Sequence, residues 1–418
     1  MILHFREVVA KQQYITLIFS SFSIVYMSYF QYLYSKFNVK PNNFVTIMLT
    51  VLFQSVPDHR VVNRCTYRLD ELLTIALLTY LCGGEDYADM EAFAETRARQ
   101  WGLLQDNTTS PSYDTFERLM KSVAPKEIER CLITYGKQFL DSVCEKQIAI
   151  DGKKLRGAQP ASRGTEGDYI LNAFVSENQI VIGQLAVSDK QNEITAIPEM
   201  LDKIDIRDAT VTIDAIGTQV GIAQKIVDKG GHYLLPVKQN QKLTYEAVDD
   251  AFRFYGSKES KVYEEKNVGH GRIEVRTCRI LPAERIADSQ IRERWEGLKT
   301  VVEITSKVCY DGDDVITKRL YISDEDYANA KYYYELARGH WAIENNLHWH
   351  LDVTFKEDDS RVRTGYAPQN LSMIRKLALQ IIKNHQDNGK KKRSLKKKLF
   401  IAAMDPDYLL QIIKNANF

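Results

Sequence analysis

The sequence predicts an α/β protein, with a mixed β-sheet core, a small all-helical domain before it and a β-rich insertion within it. Three observations support this class. Apolar residues recur at helical spacing from about 56 to 140, and strand-like and helical segments alternate from about 146 to 237. Alternating runs with little helical rhythm then continue to about 323, and a final helix is predicted from about 324 to 355.

The composition is that of an ordinary globular protein. The chain has 418 residues, 44% apolar and 27% charged, which is enough for a sizeable core and about two or three domains. Its formal net charge of +1 means that nucleic acid would have to be bound by local basic patches. The six cysteines form no CxxC or CxxH pair, which argues against zinc and disulfides and fits a reducing cytoplasm.

Residues 1–47 form an apolar N-terminal extension. The uncharged run between Lys11 and Lys36 is long enough to cross a bilayer, but serine, threonine, glutamine and tyrosine interrupt it throughout. We therefore expect a peripheral extension, or upstream sequence translated ahead of a start at Met48, in preference to a membrane span.

Residues 48–140 are predicted to form the helical N-terminal domain. Gly83 and Gly84 end its first helix, and a second helix runs to about Trp101. The domain either contacts DNA phosphates through its basic side chains or serves only as a scaffold for the next domain. The apolar positions of the first and third helices are Leu69, Leu72, Leu73, Ala76, Leu77 and Tyr80, and Phe116, Leu119 and Met120.

Residues 141–238 are predicted to form the first part of the mixed-sheet core. Their order of strand, strand, strand, helix, strand, helix, strand is that of an RNase H-like core. In such a mixed sheet the first and fourth strands lie side by side. The predicted strands are KQIAID, DYILNAFVS, QIVIGQLAV, ATVTID and HYLLPV.

Two of these strands end on an aspartate, Asp151 and Asp214. An aspartate at the end of a strand is often only a turn former or a helix cap. Here, however, adjacent strands would bring the two carboxylates together, where they would repel unless a cation joined them. Mg²⁺ prefers oxygen ligands and suits phosphate substrates, so we expect a magnesium site.

Several basic and polar residues close to these aspartates could contact a DNA backbone. Cations follow Asp151 directly, a threonine after Asp214 could cap a helix whose free N–H groups face an anion, and a polar turn follows the fifth strand. A plain loop is an equal alternative for that turn. The candidates are Lys153, Lys154, Arg156, Thr218, Lys238 and Asn240.

Residues 239–323 are predicted to be the β-rich insertion, with strands at about 272–281, 300–309 and 315–322. Arg272 would share one strand face with Glu274 and Arg276. This face could contact nucleic acid or simply form a row of surface charges.

Residues 324–385 form the second part of the core and contain the predicted final helix. Glu344 lies there with His340 and His348 one turn to either side. These histidines could suggest zinc, but the HExxH spacing is absent and they could equally bond phosphate. We favour Glu344 as the third acid because it alone sits mid-helix among packing residues, where an unpaired carboxylate would be costly. Its competitors are Asp352, Glu357, Asp358 and Asp359.

Residues 386–418 form a basic C-terminal tail. Its cations suit non-specific binding of the DNA backbone with a steep dependence on salt, although a run of charges is more often a solvated surface. The tail residues predicted to contact DNA are Lys390, Lys391, Lys392 and Arg393.

Five motifs together resemble the DDE transposases of bacterial insertion sequences, in the subgroup that contains the H-repeat-associated proteins. They are IAIDGKKLRGA, TIDAIGTQ, YLLPVKQNQ, GHGRIEVR and RGHWAIENNLHWHLDVTFKEDDSRVR. The similarity runs from about Val51 to the C-terminus. It implies that Asp151, Asp214 and Glu344 are the catalytic residues and the metal ligands.

The resemblance also implies an activity. The partners would be the transposon terminal repeats and target DNA, bound by a homodimer in the bacterial cytoplasm at the nucleoid. Two Mg²⁺ or Mn²⁺ ions, about 3.5–4 Å apart, would promote endonucleolytic cleavage and then attack of the 3′-OH on target DNA. Two alternatives remain, an RNase H-like nuclease without strand transfer and an inactive DNA-binding remnant of an element.

The chain departs from the wider superfamily on the glutamate helix. Where that superfamily has tyrosine, arginine and lysine around the glutamate, this sequence has Ala337, His340 and Leu351. Trp341 matches an aromatic residue that in relatives stacks on a flipped base, but it could also belong to the core. The resemblance therefore covers the metal site better than the contacts that would hold DNA.

Overall fold

The structure, a computed structural model, describes residues 52–104, 108–158, 169–187, 192–269, 272–310, 313–387 and 392–416. The predicted apolar extension and two of the tail lysines, Lys390 and Lys391, lie outside these residues. Within the described ranges, no helix is long and apolar enough to cross a membrane.

Within these described ranges, nine strands form one mixed sheet in the order β3-β2-β1-β4-β5-β9-β8-β7-β6. The predicted neighbours, the first and fourth strands, are parallel and adjacent, and the insertion continues the same sheet because β9 pairs with β5. The strands are β1 (Gln147–Lys154), β2 (Tyr169–Val175), β3 (Ile180–Val187), β4 (Thr210–Ile213), β5 (His232–Val237), β6 (Lys261–Gly269), β7 (Arg272–Pro282), β8 (Thr300–Tyr310) and β9 (Asp313–Ser323).

Helices cover both faces of the sheet. Those before it are α1 (Leu69–Leu81), α2 (Tyr87–Phe93), α3 (Tyr113–Ser122) and α4 (Pro125–Lys137). Those within it are α5 (Glu193–Lys203), α6 (Val220–Asp228), α7 (Lys242–Glu259) and α8 (Ser289–Arg294). Those after it are α9 (Ala330–Ile343), α10 (Ala367–Asn384), α11 (Leu395–Met404) and α12 (Pro406–Lys414).

The two faces of the sheet have separate hydrophobic cores. On β1, Ile148 and Ile150 pack with α5 and α6, whereas Ala149 packs with the helices from the two ends of the described chain. Since successive residues of a strand point to opposite faces, Asp151 shares the face of Ala149. The terminal helices form one layer, in which α10 packs against α1, α3 and α4, and α11 and α12 belong to the same core.

Helix α9 and the turns that follow it carry the predicted glutamate. The helix begins at Ala330, later than predicted, because Asp324 instead accepts a hydrogen bond from the Tyr233 backbone N–H at 2.6 Å and Asn329 caps the helix. Gly339 lets the helix lie directly on β1, since an added Cβ would be 2.0 Å from Gln147 Oε1. After Ile343 the chain continues in two π-helical turns, Glu344–His348 and His350–Thr354.

Three elements of the insertion, helices α7 and α8 and strand β6, were not predicted from the sequence. The signal for α7 is present, because Thr244, Val248, Ala251 and Phe252 are buried at helical spacing. The exposed apolar residues Leu243 and Phe254 obscured it.

Candidate active site

The two aspartates meet at the end of a pair of parallel strands. Ile150 on β1 pairs with Ile213 on β4, so the next residues, Asp151 and Asp214, are neighbours across the sheet. This proximity is what the order of the strands predicted. Asp151 is half-buried, with 18% of its side chain exposed.

Asp214 forms a turn and also faces a cavity. Its Oδ1 accepts hydrogen bonds from the backbone N–H groups of Ile216 at 2.9 Å and Gly217 at 3.2 Å. The described residues place no hydrogen bond on its Oδ2. The turn-forming role of an aspartate at a strand end is therefore compatible with a second role for the other carboxylate oxygen.

Glu344 lies beside Asp214 at a cavity of about 240 Å³, which His340 and Trp341 also line. Glu344 was predicted to lie mid-helix among packing residues, and this prediction was wrong. Its side chain is exposed. It stands at the first position of a π-helical turn, a distortion that is frequent at functional sites.

Three of the four competing acids are occupied elsewhere, which separates them from Glu344. Asp352, Glu357 and Asp358 all contact the ammonium group of Lys153, the last two at 2.6 and 3.3 Å. Lys153 has only 9% of its surface exposed. It was expected to contact DNA, but its burial among three carboxylates places it inside the fold.

Burial and neighbouring carboxylates act together on Asp151. Burial, with further contributions from Glu344, Asp214 and Glu193, raises the pKa of Asp151 to about 7. Burial and then Asp214 likewise raise the pKa of Glu193 to about 7. Glu193 is the first residue of α5 and was not recognised in the sequence, because nothing in the local sequence distinguishes it from an ordinary first-turn acid.

The donor set fits a hard divalent cation. Asp151, Asp214 and Glu344 provide carboxylate oxygens, the ligands that Mg²⁺ prefers, and their mutual repulsion is what a bound cation would relieve. Among the described residues, no three His, Cys, Asp or Glu side chains already converge closely enough to hold a metal ion.

The two histidines of the glutamate helix differ in position. His340 lines the cavity, with its Nδ1 3.1 Å from Thr212 Oγ1, and burial lowers its pKa to about 4, so the ring is neutral near pH 7. His348 is buried, with its Nδ1 3.5 Å from Asp151 Oδ2. A phosphate contact was expected for both residues, but His348 is buried against Asp151 and does not reach the surface.

Five other residues near the aspartates were predicted to bind DNA. Two are exposed cations, two support the Asp214 loop and one is half-buried. Lys238 is exposed and lines the cavity, and Arg156 is exposed with Asp358 3.7 Å away. Thr218 is fully buried and donates to the Pro236 carbonyl at 2.8 Å, and Asn240 donates to the Ala215 carbonyl at 2.6 Å. The last two support the Asp214 loop, and the helix cap expected of Thr218 falls on Gln219. Lys154 is half-buried at the end of β1.

The charged residues predicted on the insertion and the tail are partly paired and partly exposed. Arg272 begins β7, and on the same strand Arg276 pairs with Glu274 at 2.6 Å. In the tail, Lys392 is exposed, whereas Arg393 pairs with Asp387 at 2.7 Å.

One cation at the cavity was missed in the sequence. Arg319 on β9 lines the cavity together with Asp214 and Glu344, and its guanidinium lies 5.0 Å from the centre of the Trp341 ring. It also lines an adjoining cavity of about 270 Å³ with Arg338. The arginine could not be assigned from sequence, because β9 reaches the site only through its pairing with β5.

Comparison with known families identifies the class of protein to which this site belongs. The sequence model of the family described as "Transposase DDE domain" matches residues 143–381, and that described as "DDE_Tnp_1-associated" matches residues 50–136. The chain belongs to the DDE transposase family.

Curated relatives agree with this assignment. The chain is 34% identical over 370 residues to "H repeat-associated putative transposase YhhI" of Escherichia coli strain K12, covering 86% of this chain and 95% of the relative. It is 30% identical over 374 residues to "Putative transposase YncI" of Escherichia coli O157:H7, covering 87% and 93%. The subgroup that the sequence motifs indicated, with H-repeat-associated proteins, is thereby confirmed.

Proposed function

We propose that the protein is a transposase that cuts the ends of an insertion sequence and joins them to target DNA, with Asp151, Asp214 and Glu344 as its catalytic residues and metal ligands. One observation carries this proposal. Two strand-end aspartates are neighbours across the sheet with the glutamate after α9 at the same cavity, and burial, with smaller contributions from Glu344 and Asp214, raises the pKa of Asp151 to about 7. Such a concentration of carboxylates is costly without a cation and typical of a phosphoryl-transfer site.

The three acids would hold two Mg²⁺ or Mn²⁺ ions. When bound, these ions supply Lewis-acid stabilisation of the phosphate and lower the pKa of the attacking water or 3′-OH. The turn at Asp214 Oδ1 orients that carboxylate. The exposed position of Glu344 leaves its carboxylate accessible from the cavity that would receive the scissile phosphate.

The contacts to the DNA backbone would come from residues on or next to the strands and not from the glutamate helix. His340 is uncharged near pH 7, so the cations at the cavity are Arg319 from β9 and Lys238 after β5. A guanidinium can bond two phosphate oxygens at once, and its contact with Trp341 limits the positions that the group can adopt. These two cations would replace the arginine and lysine that the wider superfamily carries on the glutamate helix.

The test is incubation of the full-length protein with labelled ends of its own element, target DNA and Mg²⁺, followed by mapping of cut and joined strands. We expect cleavage at the ends and joined products, both lost in Asp214→Ala and both absent without divalent metal. The matched control is Asp205→Ala, an exposed aspartate on the segment before β4 that pairs with Arg207.

Two alternatives give distinct results in this assay. Asp214-dependent cleavage without joined products would identify a nuclease of the same fold. Binding of the ends without any cleavage would identify a DNA-binding remnant of an element. Cleavage that survives Asp214→Ala would refute the assignment of the site.

A further inference from the structure

A buried chain of polar groups runs from helix α10 to Asp151. Lys376 on α10 is 1% exposed, and its ammonium group donates to Asn172 Oδ1 at 2.6 Å and to Gln184 Oε1. Asn172 Nδ2 lies 3.4 Å from His348 Nε2, and His348 Nδ1 lies 3.5 Å from Asp151 Oδ2. The strands align this chain, because Asn172 on β2 is the direct cross-strand partner of Asp151 on β1.

The direction of each contact follows from the chemistry of Lys376. Burial lowers the pKa of Lys376 to about 7, and below that pH its ammonium group has three donors and no acceptor, so Asn172 must turn its carbonyl oxygen toward Lys376. The amide NH₂ of Asn172 then faces His348, and the Nε2 atom of that ring must accept. A neutral imidazole has one donor and one acceptor nitrogen, so the proton resides on Nδ1, the atom that faces Asp151.

The ring that these contacts define is neutral, because a ring nitrogen that accepts a hydrogen bond carries no proton. Burial is the main cause that lowers the pKa of His348 to about 3, and the positive charge of Lys376 lowers it further. His348 therefore cannot act as a cation toward DNA near pH 7. Its Nδ1–H faces Asp151 Oδ2 at 3.5 Å, the outer limit for a hydrogen bond.

We propose that His348 is a positioning residue for Asp151, held in its Nδ1-protonated form by Asn172 and Lys376. This inference rests on the proposed function, because it concerns the aspartate that would hold the metal. The Nδ1–H group of His348 orients Oδ2 of Asp151. Lys376, at the other end of this series of polar groups, fixes the orientation of Asn172 and thereby that of His348. Groups that orient metal ligands in this way commonly change affinity or activity by about 10- to 100-fold when they are removed.

The π-helical turn explains why the sequence did not reveal this role. Counting in ordinary helical turns places His340, Glu344 and His348 on one face. The wider turn at Glu344–His348 separates His348 from the other two residues. Glu344 lies at the cavity with His340, whereas His348 packs against Asp151.

The tautomer can be measured directly in the full-length protein without DNA or metal. Two-bond ¹H–¹⁵N spectra of protein labelled with ¹⁵N-histidine distinguish Nδ1–H from Nε2–H rings, and loss of one signal in His348→Asn assigns it. We expect the Nδ1–H pattern in the wild type and the Nε2–H pattern in Asn172→Asp. That substitution keeps an acceptor for Lys376 but replaces the donor facing His348 with an acceptor. Gln184→Glu adds the same charge beside Lys376 and should keep the Nδ1–H pattern.

Activity provides a second, independent readout. An asparagine at position 348 places its amide nitrogen near the former Nδ1, whereas a glutamine places it near Nε2. We therefore expect His348→Asn to retain about tenfold more cleavage rate than His348→Gln at saturating DNA, with equal binding of the ends. A role in packing alone would favour glutamine, which is closer to histidine in size.

The possible failures are distinguishable. An Nε2–H or charged His348 in the wild type, or equal rates for the two variants, would overturn the positioning role while Asp214-dependent cleavage could still stand. Cleavage that is independent of Asp214 would overturn the proposed function. The tautomer measurement would still report on the hydrogen bonds between Lys376, Asn172 and His348.

Discussion

The ammonium group of Lys153 and the carboxylate of Glu357 lie 2.6 Å apart, and both side chains are almost completely buried. The pair joins β1, close to Asp151, to the segment that follows the glutamate helix. It is part of the structure that fixes the distance between the strand and that helix, although the sequence around Lys153 suggests a phosphate contact.

Lys153→Met should therefore destabilise the fold by about 3–5 kcal/mol, because it leaves buried carboxylates without their cation. Urea denaturation measures this cost. The matched control is Arg156→Met, which removes a mostly exposed cation 3.7 Å from Asp358 and should cost less than about 1 kcal/mol. Unchanged stability of Lys153→Met, with weaker DNA binding, would restore the phosphate contact.

Removing the charge of Asp151 should stabilise the protein in the absence of metal. Its pKa in the folded state is raised from 3.8 to about 7, so the folded state binds more protons than the unfolded state between these values and stability falls as pH rises through this window. In EDTA, the Tm of Asp151→Asn should exceed that of the wild type above about pH 7, and the difference should disappear below about pH 4.

Two comparisons make this measurement specific. Asp205→Asn should not raise the Tm, because Arg207 lowers the pKa of Asp205 to about 2. Mg²⁺ should raise the Tm of the wild type more than that of Asp151→Asn, since binding to the folded state alone stabilises it. A Tm for Asp151→Asn below that of the wild type at every pH would contradict the repulsion described here.

Arg319→Met should weaken DNA binding and reduce its dependence on salt. Loss of one phosphate contact lowers the slope of log K against log salt by about 0.9. His340→Gln should leave the slope unchanged, because the His340 ring is already neutral. Fluorescence anisotropy of labelled ends at several salt concentrations measures both, and equal slopes for Arg319→Met and the wild type would remove Arg319 from the interface.

Lys398 belongs to the basic tail but should contribute to folding and not to DNA binding. It is 5% exposed, and its ammonium group donates to the Ile382 carbonyl at 3.1 Å and to the His385 carbonyl at the end of α10. Lys398→Met should cost about 1–3 kcal/mol by urea denaturation, because it leaves carbonyls unpaired. The exposed neighbour Lys397 is the control, and a reduced salt slope without loss of stability would reverse the assignment.

The sequence predicted those parts of the fold that depend on local patterns. Hydrophobic runs identified β1 and β4, and the order of elements placed them side by side, which brought Asp151 and Asp214 together. The contacts of Lys153 were not predictable in this way, because its partners lie about 200 residues further along the chain and are met only after folding. Arg319 escaped notice for the same reason.

The glutamate helix shows a different limit. An expected period of 3.6 residues groups His340 with His348, and no local signal announces the π-helical turn that separates them. Glu344 was selected from among the acids on a wrong premise, since it is exposed. Its position beside Asp214 depends instead on Gly339, which permits α9 to lie directly against β1.

The helical layer that covers Asp151 is assembled from both ends of the described chain. Helix α1 begins at Leu69 and α12 ends at Lys414, yet both contribute to one core with the residues around Glu344. Helices α11 and α12 must therefore be synthesised before this layer can close. A gene copy with a stop codon ahead of these helices would produce a protein whose first helices lack their packing partners, so it would misfold even though the codons for Asp151, Asp214 and Glu344 remained intact.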